Sequence, residues 1–344
     1  MRLLCCGYFF FGRATFFFHE QFIFMSVSEA ADLPLLVIAG PTASGKSALA
    51  VALAREFSGE IVACDSTQLY RGVNIGTAKP TVEERGGIAH HLIDVLDPAE
   101  AATAGGYRDL ALAVLADLRA RGKMPILVVG TGLYMRALLE GLADLPLRSE
   151  ELRERLRASA EKHGPGHLHG IVRRMDGEAA GKIAATDEQK LIRAIEVCVL
   201  TRKPMSEAHR AGRKPLVGWR VVKIGLMPPR ELLYRRIEAR TEAMLESGWL
   251  AEVRGLLATG VAEDAKIFDF IGYRDMLAVA RGTLKIEEAR VGIQQATRNY
   301  AKRQMTWFKK DAGIRWFGGA GDAVAIQDGA LGWVGERVGV RGRE

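Results

Sequence analysis

A chain of 344 residues is long enough for one large domain or two of unequal size. Charged residues make up 26% and the mean hydropathy is +0.02, a soluble globular composition that excludes a chain built of membrane spans. The excess of 48 Lys plus Arg over 41 Asp plus Glu favours a polyanionic partner. Four cysteines without a C-x-x-C pair argue against a zinc site or a disulfide framework and fit a reducing cytoplasm.

The first 24 residues, MRLLCCGYFFFGRATFFFHEQFIF, are crowded with phenylalanine, but Arg13, His19 and Glu20 interrupt the apolar runs. Neither run approaches the roughly 20 apolar residues of a membrane span. Arg2 and the run Leu3 to Phe11 have the outline of a signal peptide, but no small-residue cleavage site follows. Residues 1–32 therefore read as an extension, disordered or not translated, with Met25 as the expected start.

From residue 35 strands and helices alternate. LLVIAG is a buried strand ending in glycine, SALAVALAREF has helical spacing, EIVACDS is a second strand and MPILVVG (124–130) a third. Between the last two lies the amphipathic helix YRDLALAVLADLRARG, closed by Gly122. This order predicts an α/β fold, a parallel sheet with helices on both faces. Such sheets bind ligands at the carboxyl ends of their strands, so the turns at Gly40, Asp65 and Gly130 are expected to share one crevice. Residues 149–215 read as helical and basic, without a convincing strand, before WRVVKIGLM restores the sheet and RELLYRRIEARTEAMLESGWLAEVRGLL follows as one long helix. The expected organisation is a core of residues 33–143 and 217–320, a helical insertion at 144–216 and a tail at 321–344.

Between the first strand and helix stands GPTASGKS, the form G-x-x-x-x-G-K-S, comprising Gly40, Pro41, Thr42, Ala43, Ser44, Gly45, Lys46 and Ser47. Backbone N–H groups in such a turn cradle phosphate oxygens above the positive end of the helix dipole. Lys46 adds charge on the terminal phosphate, and the Ser47 hydroxyl suits Mg2+. The loop implies a polyphosphate ligand and equally allows a P-loop kinase or NTPase binding ATP.

Four further motifs narrow this: DSTQLYRGVNIGTAKP (65–80), HHLIDVLDP (90–98), GTGLY (130–134) and ATRNYAKRQMTWF (296–308). In this order they resemble the tRNA dimethylallyltransferases, or isopentenyltransferases, of the bacterial type, over about residues 33–317. The resemblance implies a P-loop NTPase-like fold whose loop binds dimethylallyl diphosphate. Diphosphate would leave as the prenyl carbon joins the exocyclic amine of adenosine 37, beside the anticodon. That amine is a poor nucleophile, so a carboxylate accepting its proton would help; Asp65 ends a strand beside the loop and stands at the family's proposed base. Departing diphosphate needs its charge stabilised by Lys46, the loop amides and Mg2+, and the resemblance adds Thr131 and Arg240. By spacing alone, Arg236 and Arg240 in RRIEAR form a solvated face.

For tRNA, the stretch from Ala296 to Lys310 has five basic residues and no acid, interleaved with Tyr300, Trp307 and Phe308. Arg298, Lys302, Arg303, Gln304 and Trp307 are candidate contacts there, with Trp307 equally readable as core. The resemblance adds Asp65, Ser66, Thr67, Gln68 and Thr131 beside the loop, Gln189, Lys190, Leu191, Ile192 and Arg193 in QKLIRA, and Arg153. Three positions depart from the family pattern: Val129 replaces a glycine, Lys190 an arginine, and Asp269 puts an acid before FIGYRD. His90 and His91 lack companions for a metal set and read as structural. No zinc finger of the eukaryotic kind follows. The expected partners are an anticodon stem-loop and dimethylallyl diphosphate, with no membrane, and the expected state is a cytoplasmic monomer. A kinase of a nucleotide or small molecule, a decayed nucleic-acid binder and a prenyltransferase acting on free adenylate are the alternatives.

Overall fold

The computed structural model describes residues 33–339 except 144, 147 and 211. The N-terminal extension and its expected start at Met25 lie outside the described residues. The first strand, β1 (Leu33–Ala39), leads through the phosphate loop to α1 (Lys46–Glu56) and β2 (Gly59–Cys64). There follow α2 (Val82–Arg85), β3 (His90–His91), α3 (Ala104–Ala120), β4 (Met124–Val129) and α4 (Gly132–Leu139). Five helices come next: α5 (Glu150–His163), α6 (His167–Met175), α7 (Gly177–Lys182), α8 (Glu188–Thr201) and α9 (Met205–Arg210). The chain then returns as β5 (Trp219–Leu226), α10 (Arg230–Glu246), α11 (Trp249–Ala258), a 3-10 turn, α12 (Tyr273–Ala280), α13 (Ile286–Phe308), β6 (Arg315–Phe317) and α14 (Val324–Val338).

Among the described residues six strands run parallel in the order β3-β2-β4-β1-β5-β6. β1 is central and apolar on both faces because both faces are covered. Leu35, Val37 and Ala39 point into one core with α3, α4 and α11–α13, while Leu36 and Ile38 point into the other with α1 and α14. Among the described residues no helix is long and apolar enough to cross a membrane.

Two expectations are corrected here. Residues 321–344 are not simply a tail: Ala330 and Val334 of α14 are fully buried against the sheet beside Leu36, Ile38 and Ile224. The helix expected after β5 is two, broken at Gly248, whose φ of +92° is reached without strain only by glycine. The break lets Trp249 turn inward, where it is 1% exposed. Helices α5, α6, α7 and α8 enclose an apolar cluster of their own, built on Leu156, Leu168, Val172, Leu191, Ile192 and Ile195.

Candidate active site

The phosphate loop is gripped from several sides. Thr42 N donates to Gln304 Oε1 at 2.8 Å, and Arg236 Nε donates to Ala43 O at 2.8 Å. Gly321 N, just before α14, donates to Ser44 O at 2.9 Å, and Asp322 pairs with Arg236 at 2.9 Å. Lys46 Nζ donates to the Gly40 and Pro41 carbonyls at 2.9 and 2.8 Å. Burial pulls its ammonium down to about 7, against the pull of Asp65 and with the push of Arg240. Ser44 Oγ is buried with no hydrogen-bond partner, and Ser47 is exposed on the first turn of α1.

Arg240 reaches the same loop. Its Nη1 lies 3.5 Å from Thr42 Oγ1 and its Nη2 3.4 Å from Ala78 O, and burial lowers its pKa against the opposing charges of Glu84 and Asp65. The expectation of a solvated face is therefore wrong for Arg236 and Arg240, because the loop lies across that face of α10. Arg236 and Asp322 were not assigned from the sequence; only the i, i+4 spacing to Arg240 pointed toward Arg236.

Asp65 begins the turn after β2. Its Oδ1 accepts from Thr67 N at 2.9 Å and from Thr67 Oγ1 at 2.8 Å, which fixes the orientation of the carboxylate. Its Oδ2 lies against Gly130, where no Cβ would fit, so only glycine lets the turn after β4 approach this carboxylate. Thr131 Oγ1 accepts from Ser66 N at 2.9 Å and donates to Ser66 Oγ at 3.2 Å, while Thr131 N donates to Cys64 O. From α13, Tyr300 Oη and Gln304 Nε2 both donate to Gly130 O, at 3.1 and 2.7 Å. The three strand-end turns thus meet: the loop after β1 joins the turn after β4 through Gln304, and that turn touches Asp65. Gln68 Nε2 donates to the Thr77 and Ala78 carbonyls, which holds the 65–80 segment beside them.

A family model described as IPP transferase matches residues 68–311, and one described as isopentenyl transferase matches 33–95. The chain is 52% identical over 301 residues to the tRNA dimethylallyltransferase of Koribacter versatilis, covering 88% of this chain and 98% of that protein. It is 50% identical over 299 residues to that of Solibacter usitatus, covering 87% and 97%. The chain belongs to the tRNA dimethylallyltransferase family. Among solved structures, the tRNA isopentenylpyrophosphate transferase of Bacillus halodurans matches at a TM-score of 0.65 and 35% identity, over 89% of this chain and 97% of that one. A eukaryotic dimethylallyltransferase acting on tRNA matches at 0.76 and 25%, over 91% and 81%. The fold is P-loop NTPase-like, as expected.

Several residues that the family resemblance offered for tRNA contact stand elsewhere. Leu191 and Ile192 are 1% and 2% exposed, inside the cluster under α8, so their side chains cannot meet RNA. Arg153 is buried and pairs with Glu196 at 3.4 Å; Arg193 grips the same carboxylate at 2.5 Å and Pro146 O at 2.9 Å. Glu196 is fully buried and also accepts from Ser149 N, so both arginines are partners of a buried carboxylate, Arg193 with part of its side chain still open to solvent. Gln304 is buried with both ends of its amide engaged within the protein. Trp307 lies on Gly132 and edge-on to Phe308, while Arg298 is tied to Glu238 at 3.0 Å and Gln295. Gln189, Lys190, Lys302 and Arg303 are exposed, Lys190 beside Asp187 and Arg303 over the Tyr300 ring. Asp269 is paired with Lys266 and Arg274, which offsets the acid in that segment. His91 hydrogen-bonds Glu60, itself held by Arg121.

Arg153→Ala is expected to lower stability by about 1–3 kcal/mol, since it strips a partner from a buried carboxylate that keeps two others. It should leave the salt dependence of RNA binding unchanged. Thermal melting and a salt titration check the pair of outcomes, and a reduced salt slope would return Arg153 to the RNA surface.

Proposed function

We propose that this chain transfers a dimethylallyl group from dimethylallyl diphosphate to the exocyclic amine of adenosine 37 in tRNA and releases diphosphate. The observation that carries the reading is the convergence of the phosphate loop, the Asp65 carboxylate and the basic helix α13 at Gly130. The donor's diphosphate lies on the loop amides, with Lys46 swung from the Gly40 and Pro41 carbonyls onto its oxygens. Arg240 adds a second cation at the loop. As the allylic carbon–oxygen bond breaks, these groups stabilise the charge gathering on the diphosphate. As the new carbon–nitrogen bond forms, Asp65 accepts the amine proton.

Among the described residues no group of three His, Cys, Asp or Glu gathers as a metal site. Mg2+ held chiefly by diphosphate oxygens and water needs only one or two protein oxygens, and Ser47 Oγ on the first turn of α1 would supply one. Bound there, the ion would neutralise part of the leaving-group charge. The target adenine must leave the anticodon stack before its amine can reach Asp65, and exposed Lys302 and Arg303 on α13 offer charge to the backbone around it.

Incubation with dimethylallyl diphosphate, Mg2+ and either an anticodon stem-loop or AMP tests the reading. Prenylated RNA with release of diphosphate is expected; product from AMP alone would replace tRNA by free nucleotide. Changing Lys302 and Arg303 together to Ala should reduce the slope of log K for RNA against log salt by about 1.4–1.8, at 0.7–0.9 per lost phosphate contact. Affinity for dimethylallyl diphosphate should be unchanged. An unaltered slope would leave α13 without a phosphate grip.

A further inference from the structure

We propose that Gln304 is a positioning residue of the transfer reaction, holding the phosphate loop and the Gly130 turn at one fixed separation. The inference rests on the functional reading above. Gln304 lies on α13, 262 residues from the loop it touches. It is 6% exposed, and each end of its amide has a partner of matching type. Oε1 accepts from Thr42 N at 2.8 Å, in the loop that would hold the leaving group. Nε2 donates to Gly130 O at 2.7 Å, in the turn that presses on the Asp65 carboxylate and begins α4 at Thr131.

A primary amide is the side chain suited to this bridge, because it presents an acceptor and a donor side by side. Serine and threonine are too short to span both backbones, and arginine or lysine cannot accept. Tyr300, one turn earlier on α13, gives Gly130 O its second donor, so the carbonyl is held from two directions while Thr42 N depends on Gln304. The consequence is geometric. Leaving group and base sit on different strand ends, and in-line displacement needs the reacting atoms within a few tenths of an ångström of their productive separation. The same helix carries Lys302 and Arg303, so RNA seated on its exposed face bears on the element that sets this separation.

Gln304→Met, Gln304→Glu and Tyr300→Phe test the proposal on the full chain. In Gln304→Met, Thr42 N and Gly130 O lose the bridge while the side-chain volume is kept. The expected result is at least a tenfold fall in kcat and at least fivefold weaker binding of inorganic diphosphate, with stem-loop affinity within threefold of wild type. Gln304→Glu should be equally defective at about pH 8, where a carboxylate meets the Gly130 carbonyl. Its activity relative to wild type should climb as pH falls, because a protonated carboxyl again accepts from Thr42 N and donates to Gly130 O. Asp65 beyond Gly130, Tyr300 one turn away, and Arg240 and Lys46 at the loop are the other titratable groups facing this position, and the wild-type profile corrects for them. Tyr300→Phe should lower kcat by less than Gln304→Met does, since Gln304 still holds Gly130 O and Thr42 N keeps its partner; an equal or larger loss would overturn the bridge.

A direct contact with RNA would give the reverse pattern, a loss of stem-loop affinity with diphosphate binding intact, and would overturn the proposal. So would a kcat within threefold of wild type in Gln304→Met, or no pH-dependent recovery in Gln304→Glu. If Gln304→Met fails to fold, the pH profile of Gln304→Glu decides. The diphosphate titration needs no turnover: if wild type transfers no prenyl group, the functional reading fails, and diphosphate affinity alone upholds or overturns the bridge.

Discussion

Asp65→Asn is expected to lower kcat by about 10²–10⁴-fold, the usual contribution of a positioned general base. The substitution keeps the side-chain volume and the oxygen that accepts from Thr67, so the turn after β2 should persist. What it removes is the capacity to take a proton from the adenine amine. Since a base acts chiefly in the transition state, the loss should fall on kcat, with the affinities for diphosphate and stem-loop RNA within about threefold. Single-turnover transfer at saturating substrates, alongside direct titration of each ligand, separates the two effects. Turnover within threefold of wild type would remove Asp65 from the catalytic step.

Lys46 carries the second large effect, and it is one of proton linkage. In the free protein burial holds its ammonium at about 7, well below the ordinary lysine value near 10.5. Between those two pH values the unfolded chain binds more protons than the native one. The contribution of Lys46 to stability therefore rises with pH across that window, and its desolvation cost is fully present below about pH 7. A diphosphate reverses the balance by supplying the missing counter-charge. At about pH 8 binding should take up close to one proton at Lys46, and affinity should decline as pH rises beyond about 7. Lys46→Met should abolish this uptake and weaken diphosphate binding by at least tenfold, since the charge that meets the terminal phosphate is gone. Calorimetry in buffers of different ionisation enthalpy, comparing the two proteins, isolates the lysine from the diphosphate's own titration. Equal proton uptake in both would show that Lys46 enters the complex already charged.

The site was legible in proportion to how local its parts are. The loop from Gly40 to Ser47 needs only a strand, a tight turn and a helix start in immediate succession, so its role can be read along the chain. Asp65 is legible because it follows the end of a buried strand, and parallel strands bring such ends to one edge, whereas Thr131 rests on the resemblance. Spacing alone makes Arg236 and Arg240 a solvated face, because it tells which residues share a face of a helix but not what covers that face. The resemblance places Arg240 at the diphosphate, and the structure sets both arginines against the loop. The same limit explains Arg153 and Arg193. The resemblance offers both for tRNA contact, and only their placement in space shows that they also share Glu196, fully buried between them.

By itself the sequence determined the alternation of strand and helix, the parallel sheet, the phosphate loop and the candidate base, together with the family whose motifs it carries. These follow from hydrophobic period, from glycine and from short contiguous patterns, all properties of neighbours along the chain. Only the tertiary structure decided that Gln304 joins the loop to Gly130, that Leu191 and Ile192 are core, and that α14 completes one face of the sheet. Those assignments depend on which buried polar group finds a partner and which apolar face finds a cover. The residues that answer lie tens to hundreds of positions away, where no local pattern reaches.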